Sequence, residues 1–301
     1  MTQNPFSFYD FLGYLIPGGL FLLILFLFSI EINPVYIEGI FNHILKYKEI
    51  ISVFIYVVLI VLSYISGHFI SILSSCLIEK YMNSKLGYPS IYLFSKRSPL
   101  KIKRHNTKFS IVHFIRGVFL LPVSVFDKAE HHKTTLHSIL IKVFWPQIRD
   151  GYINVFSVST LYRRKGLRGD LFRLAYHYVY EHSKNHQVKM QNYVALYGFC
   201  RNITFVFLAS VWLLICLFPL SFLIDINIRL LPFCFLLLFC LAASRVFYYG
   251  FVKYYRRYSL EVLMAFAVLQ QIKKLRQFHH DLKHWHPVSK GARMMCWYVF
   301  Y

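Results

Sequence analysis

Acidic side chains are scarce in this sequence: 13 Asp and Glu stand against 34 Lys and Arg, a formal net charge of +21. Only 6 of those acids fall in the long polar middle, residues 79–202, and none forms a paired-carboxylate motif. A Gly-x-Ser-x-Gly elbow, a phosphate-binding Gly-Lys-Ser/Thr and a His-Glu-x-x-His pair are also missing, so the standard hydrolytic and nucleophilic arrangements have no footing and the chain reads as a non-enzyme. Cysteine is sparse. Cys76, Cys200, Cys216, Cys234, Cys240 and Cys296 lie in apolar runs, at their ends or near the C-terminus. Without the short paired spacing of a zinc site or a disulfide framework they read as small hydrophobes, and no metal or cofactor is expected. Lys and Arg are absent from Met1 to Tyr9, and no small-residue cleavage site follows, so the first apolar run is read as a retained span rather than a cleaved signal.

What the chain has in abundance is apolar surface, with 57% hydrophobic and 19% aromatic residues. That composition belongs to an integral membrane protein. Four runs, Phe8–Ile30, about Ile50–Leu77, Ile203–Ile224 and about Leu230–Val252, are each long enough to cross roughly 30 Å of hydrocarbon as a helix. The expected fold is mainly α: a polytopic membrane protein with about four transmembrane helices and a mostly helical, basic cytoplasmic domain. Residues 1–78 form a first hairpin, 79–202 the basic domain, 203–252 a second hairpin and 253–301 a C-terminal helix and tail. The middle carries 21 of the 34 basic residues and the part after Ala243 carries 10, whereas Glu31–Glu49 has only Lys46 and Lys48 against three acids. Positive-inside bias then places both termini in the cytoplasm.

Pro17 in the first span lacks an N–H, so a kink is expected there and a neighbouring group or water must satisfy the freed carbonyl. With Gly18 beside it the site is either a packing notch or a hinge. In the second span Ser63, Gly67, Ser71 and Ser75 recur at four-residue steps and share one helical face. That stripe serves close packing inside one subunit, or the wall of a pore or an oligomer interface; His68 sits beside it as an ionisable group within a span. After Glu79 the run Lys80 to Lys108, including Lys101, Lys103 and Arg104, is read as a basic loop because of Pro89 and Pro99. Phe109–Phe126 is apolar enough for a fifth span or a re-entrant segment, but Arg116 near its centre would be expensive in lipid, which places it in the cytoplasmic core or at the interface. Lys128–Phe144 and Asp170–Lys184 have amphipathic periodicity, with Asp170 as N-cap.

Arg163, Arg164, Lys165 and Arg168, spaced by Gly166 and Gly169, stand just before that last helix. Cations, exposed amides and the helix dipole together favour an anion there, although a solvated basic loop satisfies the same residues. The fourth span is expected to continue as one helix to about Gln277. Histidines cluster at His279, His280, His284 and His286, at His182 and His186, and at His131 and His132; structural roles are favoured over metal binding.

The segments Tyr9–Gly18 and Leu196–Asn202 resemble a group of bacterial inner-membrane proteins found among anti-phage defence genes, and the layout is similar to the membrane effector of the Hailong defence system. The resemblance implies an oligomeric ion channel held shut by single-stranded DNA oligomers that a partner nucleotidyltransferase makes. It rests on two short segments and carries no functional residue over one by one. The charge itself suits a polyanion, either nucleotide or single-stranded DNA, and Tyr92, Phe94, Tyr162, Phe172 and Tyr176 near the cations are candidates to stack bases. Anionic lipid headgroups are the competing partner for the same charge. The leading expectation is thus a homo-oligomeric, ligand-gated channel that depolarises the membrane. The rivals are a non-conducting anchor or scaffold that binds a protein or nucleic acid, and a membrane enzyme acting on lipid.

Overall fold

The computed structural model describes residues 11–32, 39, 48–94, 111–124, 135–158, 161, 167, 169–224 and 230–284. Helices dominate these residues and there is no strand among them. Four helices are long and apolar enough to cross a membrane. The first is α1, Ile16–Ile32, entered through a π-helical turn at Phe11–Leu15. The second, α2, is Lys48–Ser74; it passes through another π-helical turn, Ser75–Glu79, into α3, Lys80–Leu86. Two short helices follow at α4, Pro89–Tyr92, and α5, Ile111–Phe119, and a single turn at α6, Leu121–Ser124. Next come α7, Ser138–Phe156, α8, Asp170–His182, α9, Lys184–Ile224, and α10, Leu230–His284.

The third span is the middle of the bundle: half of its apolar window is buried, against 11% in the second and fourth. The reason is topological, since α9 packs on α10 along its length while α1 and α2 close on its other side. Side chains such as Val57, Ile60, Ile65, Phe69 and Ile72 on α2 are left exposed, as a surface in contact with lipid requires. With 55 residues, α10 is roughly 80 Å long at 1.5 Å per residue, well beyond a bilayer core of about 30 Å. Its far half, together with the first turns of α9, enters a second core with α4, α7 and α8. Tyr92, Phe94, Ile148, Tyr152, Val179, Met190 and Phe266 fill this head. Gly151 lets α7 approach α10, because a Cβ there would stand 2.6 Å from Gln270 Cγ.

Several sequence readings change. The chain after Glu79 is not a loop at once: α3 continues the second span, and the break comes at Gly87, whose φ of +77° suits glycine. Pro89 then starts α4 at a position where its missing N–H costs nothing. Of the helix expected at Lys128–Phe144, residues 128–134 lie outside the described residues; the helix there starts at Ser138 and runs through Pro146 to Phe156. Asp170 is the first helical residue of α8, with Gly169 at φ +47° as the cap. The third span starts within a helix already formed at Lys184, and the fourth continues past Gln277 to His284. Side chains from before and after the second hairpin, among them Tyr152, Val179 and Phe266, share the head core. Residues 111–124 pack against the spans rather than in the head core, with Leu120 and Val123 buried in the bundle.

Candidate functional site

A connected cluster of polar side chains lies where the first three spans meet at the head end. Pro17 cannot supply the α-helical bond to the carbonyl four residues before it, which is that of Gly13. Asn202 of α9 takes that place: its Nδ2 donates to Gly13 O at 2.7 Å. The Asn202 Oδ1 in turn accepts from Ser74 Oγ at 2.5 Å. Beside it, Arg201 donates from Nε to Ser74 Oγ at 3.1 Å and from Nη2 to Ser71 Oγ at 3.2 Å, and its Nη1 pairs with Glu79. Ser75 Oγ donates to the same carboxylate oxygen at 3.4 Å. The Arg201 and Glu79 side chains are only 10% and 24% exposed. An ion pair so enclosed offsets its desolvation only if the remaining donors are engaged, which the serines accomplish.

A second carbonyl is freed at the other π-helical turn. The Lys80 amide is directed to the Leu77 and Ser75 carbonyls, and the Cys76 carbonyl between them accepts from Arg116 Nε at 2.9 Å. Each π-helical turn thus exposes a backbone oxygen that a distant polar side chain takes up. Together these bonds fasten the first and second spans and α5 to the third span.

The serine-glycine stripe of α2 faces this same region. Ser71 and Ser75 belong to the polar cluster, Gly67 lies against the Tyr14 carbonyl, and Ser63 lies against Gly18. A Cβ at Gly18 or Gly67 would fall inside the van der Waals radius of those backbone oxygens, so the two helices touch main chain to main chain. His68 is turned outward and stacks on Tyr14, with centroids 3.9 Å apart, and meets Tyr64 edge-on at 4.6 Å.

The cations expected to hold an anion, Arg163, Arg164, Lys165, Arg168, Lys101, Lys103 and Arg104, lie outside the described residues, as does Tyr162. Tyr92 and Phe94, expected to stack bases, are instead buried in the head, 3% and 0% exposed, because the turn after α3 folds them under α7 and α10. Phe172 and Tyr176 pack against Tyr258. Among the histidines, His186 Nδ1 meets Glu261 at 2.7 Å and His182 bonds the Tyr178 carbonyl at 2.8 Å. No group of three His, Cys, Asp or Glu among the described residues is placed to hold a metal. At the head surface Lys274 bonds Asp150 at 2.7 Å and, with Arg149, holds its carboxyl below the ordinary value of 3.8.

Sequence reasoning named Pro17, Ser71 and Ser75 but missed Glu79, Arg201, Asn202 and Gly13 as one site. The signal was present: an acid closes one apolar run and an arginine opens the next, and an i−4 count from Pro17 leads to Gly13. No protein-family model, no curated protein and no solved structure matches this chain.

Proposed function

We propose that the chain is the subunit of a homo-oligomeric, ligand-gated ion channel of a bacterial inner membrane, a depolarising effector of anti-phage defence governed by an anionic ligand on its basic cytoplasmic segment. The observation that supports this most is mechanical continuity. Both α9 and α10 run unbroken from the spans into the head, and the Arg201–Glu79–Asn202 cluster fastens the first hairpin to α9 where they leave the spans. A ligand that shifts the head therefore acts on a rigid lever against the first hairpin, as population-shift gating needs. Single-stranded DNA made by a partner nucleotidyltransferase is the ligand that the sequence resemblance implies, and a nucleotide is the other anion that the charge suits. Conduction calls for several copies, because the space between the four spans is filled by side chains such as Ile24, Phe28, Val206 and Val211.

That filled interior also favours a second reading, a non-conducting membrane anchor. Ion flux from liposomes containing the purified protein separates them. The channel reading expects flux that single-stranded oligonucleotide alters, and a change of Arg164 and Arg168 to Glu that removes this response and lowers the salt slope of binding by about 0.7 per lost phosphate contact. Absence of flux with and without oligonucleotide, in protein that remains oligomeric, favours the anchor.

A further inference from the structure

The segment α5–α6 has no part in the gating account, yet it is anchored with care. Arg116 Nε bonds Cys76 O, the Trp212 indole donates to Phe119 O at 3.0 Å, and the Phe119 ring lies 5.4 Å from that of Phe205. Trp212 follows Arg201 by enough residues to sit roughly 16 Å further along α9, about half the thickness of a bilayer core. Hence the segment descends from the head end at Arg116 to mid-span depth at Leu121 and Pro122. Its outward side chains are apolar: Ile111, Val112 and Ile115 are 73%, 49% and 51% exposed. At the other end of the segment Leu121, 47% exposed, shares a groove with Ile215 of the third span.

Between this segment and the last two spans is a groove of about 290 Å³, open on one side and lined by Leu121, Pro122, Trp212, Ile215, Leu237 and Leu241. Arg116, half-buried, precedes the groove's Leu121 by five residues on the head side. With Nε on Cys76 O, its two Nη groups meet no hydrogen-bond or ion-pair partner among the described residues. A cation with free donors over an apolar slot that opens toward the hydrocarbon has the chemistry of one molecule: an anionic head joined to a long alkyl chain. We propose that α5–α6 is a membrane-inserted segment that holds a phospholipid, its phosphate on the Arg116 Nη groups and one acyl chain in the groove. The lipid would cover the otherwise exposed seam between the inserted segment and the spans. The proposal needs the spans to cross a membrane but not that the protein conducts ions.

The test uses the full chain in vesicles of phosphatidylethanolamine and phosphatidylglycerol, with a trace of phosphatidylglycerol carrying a mid-chain diazirine. After illumination, adducts mapped by mass spectrometry are expected to concentrate on Leu121, Pro122, Trp212 and Ile215. Arg116→Gln should lower that yield about fivefold and Arg116→Lys should restore most of it. Ile215→Trp, which fills the groove without touching Arg116, should abolish the groove adducts and keeps the test valid if Arg116→Gln fails to fold. Adducts spread evenly over the exposed face of α2, or a groove yield unchanged in a folded Arg116→Gln protein, would overturn the site. So would a disulfide between two Leu121→Cys copies in place of lipid adducts, since it would assign the groove to a second copy.

Discussion

The two span pairs are held by different physics. In the first hairpin, α1 and α2 touch backbone to backbone through Gly18 and Gly67, and a few polar bonds from Arg201 and Asn202 fasten the pair to the third span. In the second, α9 and α10 meet through rings along their whole length. Phe207 packs on Phe239 and Phe247 at 5.9 and 6.0 Å, Phe199 on Phe247 at 5.9 Å, and Tyr197 on Tyr255 at 5.3 Å. Point fastening makes a joint, and distributed packing makes a rod. One added atom or one lost donor should therefore matter greatly in the first pair and little in the second.

The strongest way to break that contrast is a one-carbon change. Gly67→Ala and, more so, Gly67→Leu should destabilise the protein by at least about 3 kcal/mol, because the new Cβ meets the Tyr14 main chain, which cannot rotate away. Gly250→Ala in the second pair should cost under about 1 kcal/mol, since its nearest neighbour is Cys200 Sγ at 3.0 Å, the end of a side chain. Thermal unfolding in detergent reads both, and equal losses would erase the distinction.

Loss of donors comes next. Asn202→Ala leaves the Gly13 carbonyl without its side-chain donor, and about 1–3 kcal/mol should be lost. Pro17→Ala returns an N–H four residues after Gly13, so in that background Asn202→Ala should cost measurably less. Additive losses would mean that Pro17 and Asn202 do not serve the same oxygen.

At the head surface the effect should be smaller still. Asp150 has a folded pKa depressed by Lys274, so the pair stabilises above the unfolded carboxyl value near 3.8 and that contribution disappears as the pH falls through and below it. Its size is that of an exposed pair, about 0–1 kcal/mol, and Lys274→Met should flatten the acid limb of a stability profile by no more.

Much of the second pair was legible in the sequence. Apolar periodicity gave α10 its length because nothing between Leu230 and His284 except Pro232 breaks a helix, and Pro232 falls in the first turn. The joint was legible only in pieces. Pro17 announced a freed carbonyl, but its partner lies far along the chain, and no local pattern tells which asparagine will arrive. The π-helical turn at Ser75–Glu79 has no composition of its own, so the Cys76 oxygen and its Arg116 donor went unpaired in the reading, and an arginine costly in lipid drew 109–126 toward the head. Tyr92 and Phe94 looked like base-stacking surface because they neighbour cations in sequence, whereas the turn at Gly87 folds them into the core.

The claim that a polar joint fastens the first hairpin to the lever is tested most directly by a double-mutant cycle on Arg201 and Glu79, measured as reversible unfolding in mixed micelles. Arg201→Ala alone should cost at most about 3–5 kcal/mol by leaving the half-buried Glu79 without its partner. The pair should then show a coupling energy of about 1–3 kcal/mol, so that Arg201→Ala is much less harmful when Glu79→Ala is already present. Two independent losses that simply add, with no coupling, would contradict the joint.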